Sequence, residues 1–207
     1  MSTRCDLSYW ASVALLFLAP AVFGQEAEKK KMSATPASEG VSCETDMCVS
    51  KVFYLRNFST PYELQDVVNA FLLILDAPHA SSNQSEHTVS LQGTTEQLAV
   101  AEKLSTVLEN LRSAGGHNRS SVLVYEPLPG KALEQSSEGA PKRCELTNCF
   151  IEVVYLPDFS ISQLQDVVNK FHSTVHIASI CMVPASHAIV FRGTSKQLAF
   201  AKGWMNE

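Results

Sequence analysis

Leu64-Gln-Asp-Val-Val-Asn69 recurs without change as Leu164-Gln-Asp-Val-Val-Asn169, and the reading of this 207-residue chain turns on that repetition. Outward from it, Val52-Phe-Tyr-Leu-Arg-Asn-Phe58 matches Val153-Val-Tyr-Leu-Pro-Asp-Phe159 on the N-terminal side. On the C-terminal side, His87-Thr-Val-Ser-Leu-Gln-Gly-Thr-Thr-Glu-Gln-Leu-Ala99 matches His187-Ala-Ile-Val-Phe-Arg-Gly-Thr-Ser-Lys-Gln-Leu-Ala199. The two stretches open on Cys43-Glu-Thr-Asp-Met-Cys48 and Cys144-Glu-Leu-Thr-Asn-Cys149. The offset is 101 residues at first and 100 after one gap near Ser59. A match this long, in order and with one gap, is the signature of duplication.

Both copies give the same local reading. Lys51 to Arg56, rich in aromatic and β-branched residues, predicts a strand, followed by a turn at Asn57 to Ser59. Thr60 then offers a helix cap, Pro61 fits the first helical position, and Glu63 is placed to reach back to the cap. Ser160 and Gln163 fill those roles in the second copy. Leu64, Val67, Val68, Phe71, Leu72 and Leu75 share one helical face, as do Leu164, Val167, Val168, Phe171 and Val175. Ala77 to Glu86 carries turn residues and a short edge strand, and Thr88 to Gln92 predicts another strand. Gly93 breaks it, Thr94 with Gln97 (Thr194 with Gln197) forms a second capping box, and Leu98, Ala101, Leu104, Leu108 and Leu111 line the next helix.

The expected fold class is α+β: two β-α-β-β-α modules, each a small three-stranded sheet with two helices on one face. The first module spans 43–113 and the second 144–207, its last helix about one and a half turns shorter than its counterpart. The Gly-, Ser- and Pro-rich stretch 114–143 reads as a linker. Its strand-like island, Val122-Leu-Val-Tyr125, is expected to add an edge to the first module's sheet. A unit of about 60 residues is marginal alone, so contact between the copies or a covalent staple is expected.

At the N-terminus, Arg4 precedes the apolar run Ala11 to Gly24, which is shorter than the about 20 residues of a spanning helix and is broken by Pro20. Residues 1–24 therefore read as a signal peptide and 25–42 as a flexible segment, which makes the mature protein periplasmic or secreted, with no membrane span after cleavage. Cleavage would remove one basic and one acidic side chain and leave the net charge at -5. A mildly acidic surface argues against nucleic acid as a partner.

Val52-Phe-Tyr-Leu55, Leu64-Gln-Asp-Val-Val-Asn69 and Val89-Ser-Leu-Gln-Gly-Thr-Thr-Glu-Gln-Leu-Ala-Val-Ala-Glu-Lys-Leu104 together resemble the short N-terminal repeat domains of bacterial secretins. The resemblance covers both copies and rests on core and cap residues. It implies periplasmic β-α-β-β-α modules that pack side by side and bind parts of secretion or pilus machinery. No strand-rich region able to build an outer-membrane barrel follows in this sequence, so the resemblance implies an accessory interaction module and not a pore.

Four cysteines, Cys43 and Cys48, Cys144 and Cys149, occupy equivalent positions, which in an exported chain reads first as disulfides. Spacing leaves open whether each pair closes its own loop or the pairs cross-link the modules. The rival reading is a four-thiolate zinc site. Cys181 reads as a small buried residue. His87 and His187 match in position without a repeating carboxylate or thiol at ligand spacing, which points to a structural role. Gln65, Asp66 and Asn69, with Gln165, Asp166 and Asn169, lie on the polar side of the first helix. They read as a solvated face or as an interface between modules or with a partner.

Nucleophile elbows, zinc-protease helices, phosphate loops and dinucleotide fingerprints are absent from the sequence, and no cofactor is expected. The function expected is a non-catalytic exported interaction or assembly module. The alternative is a metal- or redox-handling protein that uses the paired cysteines.

Overall fold

The computed structural model describes residues 48–114, 118–128, 144, 146–177 and 179–205. The expected signal peptide, the 25–42 segment, Cys43 and most of the linker lie outside these residues. The chain order is β1 (Val49–Tyr54), α1 (Pro61–Ile74), β2 (His79–Asn83), β3 (Thr88–Gly93), α2 (Thr95–Ala114) and β4 (Ser120–Tyr125). It continues with β5 (Phe150–Tyr155), α3 (Ile161–Val175), β6 (Ser179–Val183), β7 (Ala188–Gly193) and α4 (Ser195–Met205). The fold is α+β, as expected, with two antiparallel sheets ordered β1-β3-β2 and β4-β5-β7-β6.

Helix starts follow the predicted chemistry. The Thr60 hydroxyl accepts from the Glu63 N–H, and the Glu63 carboxylate accepts from the Thr60 N–H at 3.0 Å. Ser160 and Gln163 repeat this at α3. Each such cap stabilises by about 1 kcal/mol.

The second pair of boxes does more than the sequence suggested. Gln97 Oε1 accepts from Thr94 N–H at 2.8 Å while its Nε2 donates to the Leu75 carbonyl at 2.8 Å, so one side chain starts α2 and closes the end of α1. Gln197 does the same between Thr194 and Val175. A Cβ on Gly93 would lie 2.7 Å from Gln97 Oε1, and one on Gly193 would lie 2.9 Å from Gln197 Oε1. The glycine therefore makes room for the clasp as well as ending the strand. Asp76 and His176, next to these clasps, both take positive φ, as do His87 and His187. These left-handed positions carry Asp or His, two of the residue types that tolerate them best, and no glycine marks them in the sequence.

The two modules stack face to face. α1 packs on β2 and β3 of its own sheet and, on its other side, on β6 and β7 of the second sheet; α2 bridges β1 and β3 to β4 and β5 in the same way. The layers run sheet, helices, sheet, helices. Val67, Val68, Ala70, Phe71 and Ile74 are all buried, so α1 is apolar around more than the single face predicted. α3, with free solvent on its far side, buries only Leu164, Val167, Val168 and Phe171.

The island 120–125 corrects its expected place, because β4 pairs with β5 of the second module, with Val122 opposite Val153 and Leu123 opposite Glu152. Val124 is buried in the core shared by the two modules. Both faces of the second sheet are covered by helices, so a strand added there buries apolar side chains. Among the described residues no helix covers the outer face of the first sheet. Tyr125 secures the placement by donating its hydroxyl to Glu96 of α2 at 2.6 Å. Burial and the Glu96 carboxylate push the Tyr125 pKa up to about 12, which keeps it a donor. Among the described residues α4 has 11 residues against 20 in α2.

At the module interface Arg192 is 2% exposed, donates to the Ile74 carbonyl at 2.8 Å and to Ser179 Oγ at 3.1 Å, and pairs with Asp76 at 2.6 Å. A second bond runs from Ser186 Oγ to the Leu108 carbonyl at 3.1 Å. Asp76→Ala strips the counter-charge from a buried guanidinium and is expected to cost about 2 kcal/mol, less than for a fully buried pair because Asp76 is 42% exposed. Adding Arg192→Met should return part of that loss, as read by denaturant unfolding of the single and double variants.

Arg112 joins three segments, donating to the Asn57 carbonyl at 3.3 Å, the Ala185 carbonyl of the second module at 2.6 Å and Glu63 at 2.8 Å. Partial burial works to raise the Glu63 pKa. The backbone N–H groups of Thr60 and Ser59 and the Arg112 guanidinium outweigh it and hold the carboxyl below its ordinary value. A depressed folded pKa gives stability that is present above the unfolded value of 4.5 and is lost as the pH falls through the folded value. Glu63→Gln, which copies Gln163, should therefore lose less stability than the parent between pH 7 and acid below 4.5, as measured by urea midpoints at both ends.

Candidate protein-interaction surface

Alignment of the two modules strand by strand shows where they diverged. On the face of the second sheet that receives α1 and α2 lie Val153, Cys181, Val183, Ala188 and Val190, all buried. Their equivalents on the outer face of the first sheet are Val52, Ser81, Asn83, Thr88 and Ser90, polar apart from Val52. The outer positions of α3 diverged in parallel: Ala70, Leu73 and Ile74 of α1 become Lys170, Ser173 and Thr174. The two ends of the stack are therefore more polar than its interior faces, with Val52 and Tyr54 the exposed apolar and aromatic groups on the first sheet's outer face.

The polar helix positions singled out in the sequence divide along the same line. Gln65 donates to Asn69 at 3.0 Å and Gln165 to Asn169 at 3.3 Å, one bond per copy. Asn69 is buried and Asp66 half-buried on the sandwiched α1, with Gln65 exposed; Asp166 and Asn169 are exposed on α3, with Gln165 half-buried.

Cys144 and Cys149 are joined in a disulfide that closes a loop within the second module, with Cα atoms 5.7 Å apart. Cys48 is also disulfide-bonded, and its candidate partner Cys43 lies outside the described residues. A loop this short restricts the unfolded chain by about 2 kcal/mol. The pairing rules out the four-thiolate zinc site, which needs all four sulfurs. Cys181 carries no disulfide and is buried on the face that receives α1. His87 Nδ1 lies 2.9 Å from the Phe58 carbonyl, and the His87 carbonyl accepts from Leu55 N–H at 2.8 Å; His187 holds Phe159 and Leu156 alike. Each histidine closes its own module's turn. Among the described residues no three His, Cys, Asp or Glu side chains converge as metal ligands.

The sheet edges are what remain. β2 is short and polar, β6 is largely buried, and β4 is interrupted by a register shift between Leu123 and Tyr125. β1 is different. Its six residues pair with β3 without interruption, and no described residue pairs with its other side. Val52 is 47% and Tyr54 70% exposed on it. A groove of about 340 Å³ runs alongside, with Lys51 to Tyr54 of β1 on one wall and Glu102, Ser105, Thr106 and Glu109 of α2 on the other.

An ion pair of inverted sign marks this place in both modules. Lys51 Nζ meets Glu102 at 2.9 Å, with both side chains largely exposed. At the equivalent positions Glu152 meets Lys202 at 3.4 Å, but Glu152 is fully buried because β4 lies over it. Sequence reading missed this site, although the exchange of Lys51 and Glu102 for Glu152 and Lys202 is visible once the copies are aligned. Lys202→Met should leave the buried Glu152 uncompensated and cost about 2 kcal/mol, the exposed lysine head being discounted for screening. Adding Glu152→Gln should restore most of it in the same unfolding assay.

No family model and no curated protein matches this chain. Among solved structures, the chain is similar to the Salmonella SPI-1 type III secretion injectisome basal body proteins InvG, PrgH and PrgK, at 13% identity over 77% of this chain and with a TM-score of 0.26. The match spans 30% of the length of that chain, and a likeness at this level carries no argument about function. No helix of the described residues is long and apolar enough to cross a membrane.

Proposed function

We propose that this chain is a non-catalytic, exported interaction or assembly module of the secretin N-terminal kind, accessory to a secretion or pilus system. The observation that carries the reading is the two-module stack, in which one uninterrupted strand edge has no pairing strand among the described residues and lies beside a groove. The Cys144–Cys149 disulfide supports an oxidising compartment and hence export. The sequence resemblance supplies the secretion context. A metal- or redox-handling role is the weaker reading, since the thiols of Cys144 and Cys149 are consumed by each other and the two equivalent histidines hold backbone carbonyls in separate modules.

Crosslinking in the cell envelope, followed by mass spectrometry of the captured species and light scattering of the purified protein, tests the proposal. The expected result is a defined complex with an envelope assembly component, or a defined oligomer. A protein that is strictly monomeric and uncrosslinked overturns it, and bound zinc or a readily reduced disulfide would favour the alternative.

A further inference from the structure

The geometry points to the β1 edge as a strand-addition site, at which an extended aliphatic segment of a partner protein, led by a basic residue, pairs antiparallel with Val49–Tyr54. This deepens the interaction reading above and rests on it.

The duplication itself supplies the template. On the equivalent edge of the second module sits β4, with Ser121 opposite Val154, Val122 opposite Val153 and Leu123 opposite Glu152. Transferred to the first module, such a strand sets a small polar residue against Phe53 and its aliphatic residues against Val52 and Lys51. Extended segments add to open edges in this way because the backbone supplies hydrogen bonds and alternate side chains supply selectivity. The charge at Lys51 is no obstacle to pairing, since Glu152 holds the same position under β4.

Charge selects the occupant. Arg119, just before β4, lies over the Phe159 ring at 4.9 Å. The corresponding corner of the first module holds Glu109, which accepts from Asn57 N at 3.1 Å and Asn57 Nδ2 at 2.7 Å. A basic residue leading the incoming strand would meet that carboxylate. A second copy of β1 fits less well, because symmetric pairing sets the Glu102 and Glu109 wall of one molecule against the same wall of the other. The chain's own segment 25–42 is polar and lacks the β-branched run of Ser120–Tyr125.

The probe is a fluorescent peptide with the sequence of Arg119 to Glu126, titrated into the full mature protein and followed by anisotropy and by backbone amide NMR. Saturable binding is expected, with shifts centred on residues 49–54 and the groove side of α2. A peptide carrying Leu123→Pro should bind about tenfold more weakly, or worse, because its strand hydrogen bonding is broken. Thr106→Trp, at an exposed groove position, should weaken binding similarly without changing the thermal midpoint.

Four results overturn the proposal: no binding at millimolar peptide, shifts centred on β4 and β5, binding that appears only when residues 25–42 are deleted, and a dimer that the peptide dissociates. The third assigns the edge to the chain's own N-terminal segment and the fourth to a second copy. A failed peptide alongside a captured envelope partner removes this site while leaving the interaction reading in place.

Discussion

The architecture depends on one buried cation. Arg192 stands on β7 of the second module and reaches across to the last turn of α1 in the first, where it satisfies the Ile74 carbonyl and meets the Asp76 carboxylate. A helix C-terminus carries partial negative charge and unpaired carbonyls, so a guanidinium there is favoured twice, by the dipole and by hydrogen bonding. A misplaced Arg192 would be a charge buried without partners, which makes a slipped or separated arrangement of the modules costly. Around that contact the apolar faces of α1 and the second sheet meet in one shared core.

That shared core explains why the two copies differ where they do. An isolated module needs one apolar helix face and one apolar sheet face. Stacking asks for two more, and the copies supply them asymmetrically: α1 has an apolar back, and the second sheet carries Cys181, Val183 and Val190 on the face where the first has Ser81, Asn83 and Ser90. The outer surfaces of the first sheet and of α3 carry more polar residues at the equivalent positions.

Much of this was legible in the sequence because it is local. The capping boxes at Thr60 and Ser160 involve residues three apart, and the helix faces through Leu64 and Leu164 follow from period alone. What escaped is long-range. Gln97 caps α2 and also reaches a carbonyl 22 residues back at the end of α1, and nothing local distinguishes it from an ordinary capping residue. The island 120–125 lies between the modules in sequence and takes its place from which sheet is covered on both faces. The double burial of α1 did leave a signal, the contrast of Ala70-Phe-Leu-Leu-Ile-Leu75 with Lys170-Phe-His-Ser-Thr-Val175, which one-face periodicity does not read.

The inverted ion pair ties these threads together. Within each copy the charges are complementary, and a single exchange at either position would set like charges together. The pair's two settings differ only in what lies over them. In the second module β4 buries the acidic member; in the first the basic member remains beside a groove of about 340 Å³. Burial of one charge of such a pair is tolerable when its partner keeps a solvated head, as Lys202 does at 50% exposure. Glu102, with 62% of its side chain exposed, leaves the first module the same margin, so the edge beside Lys51 can be covered without stranding a charge.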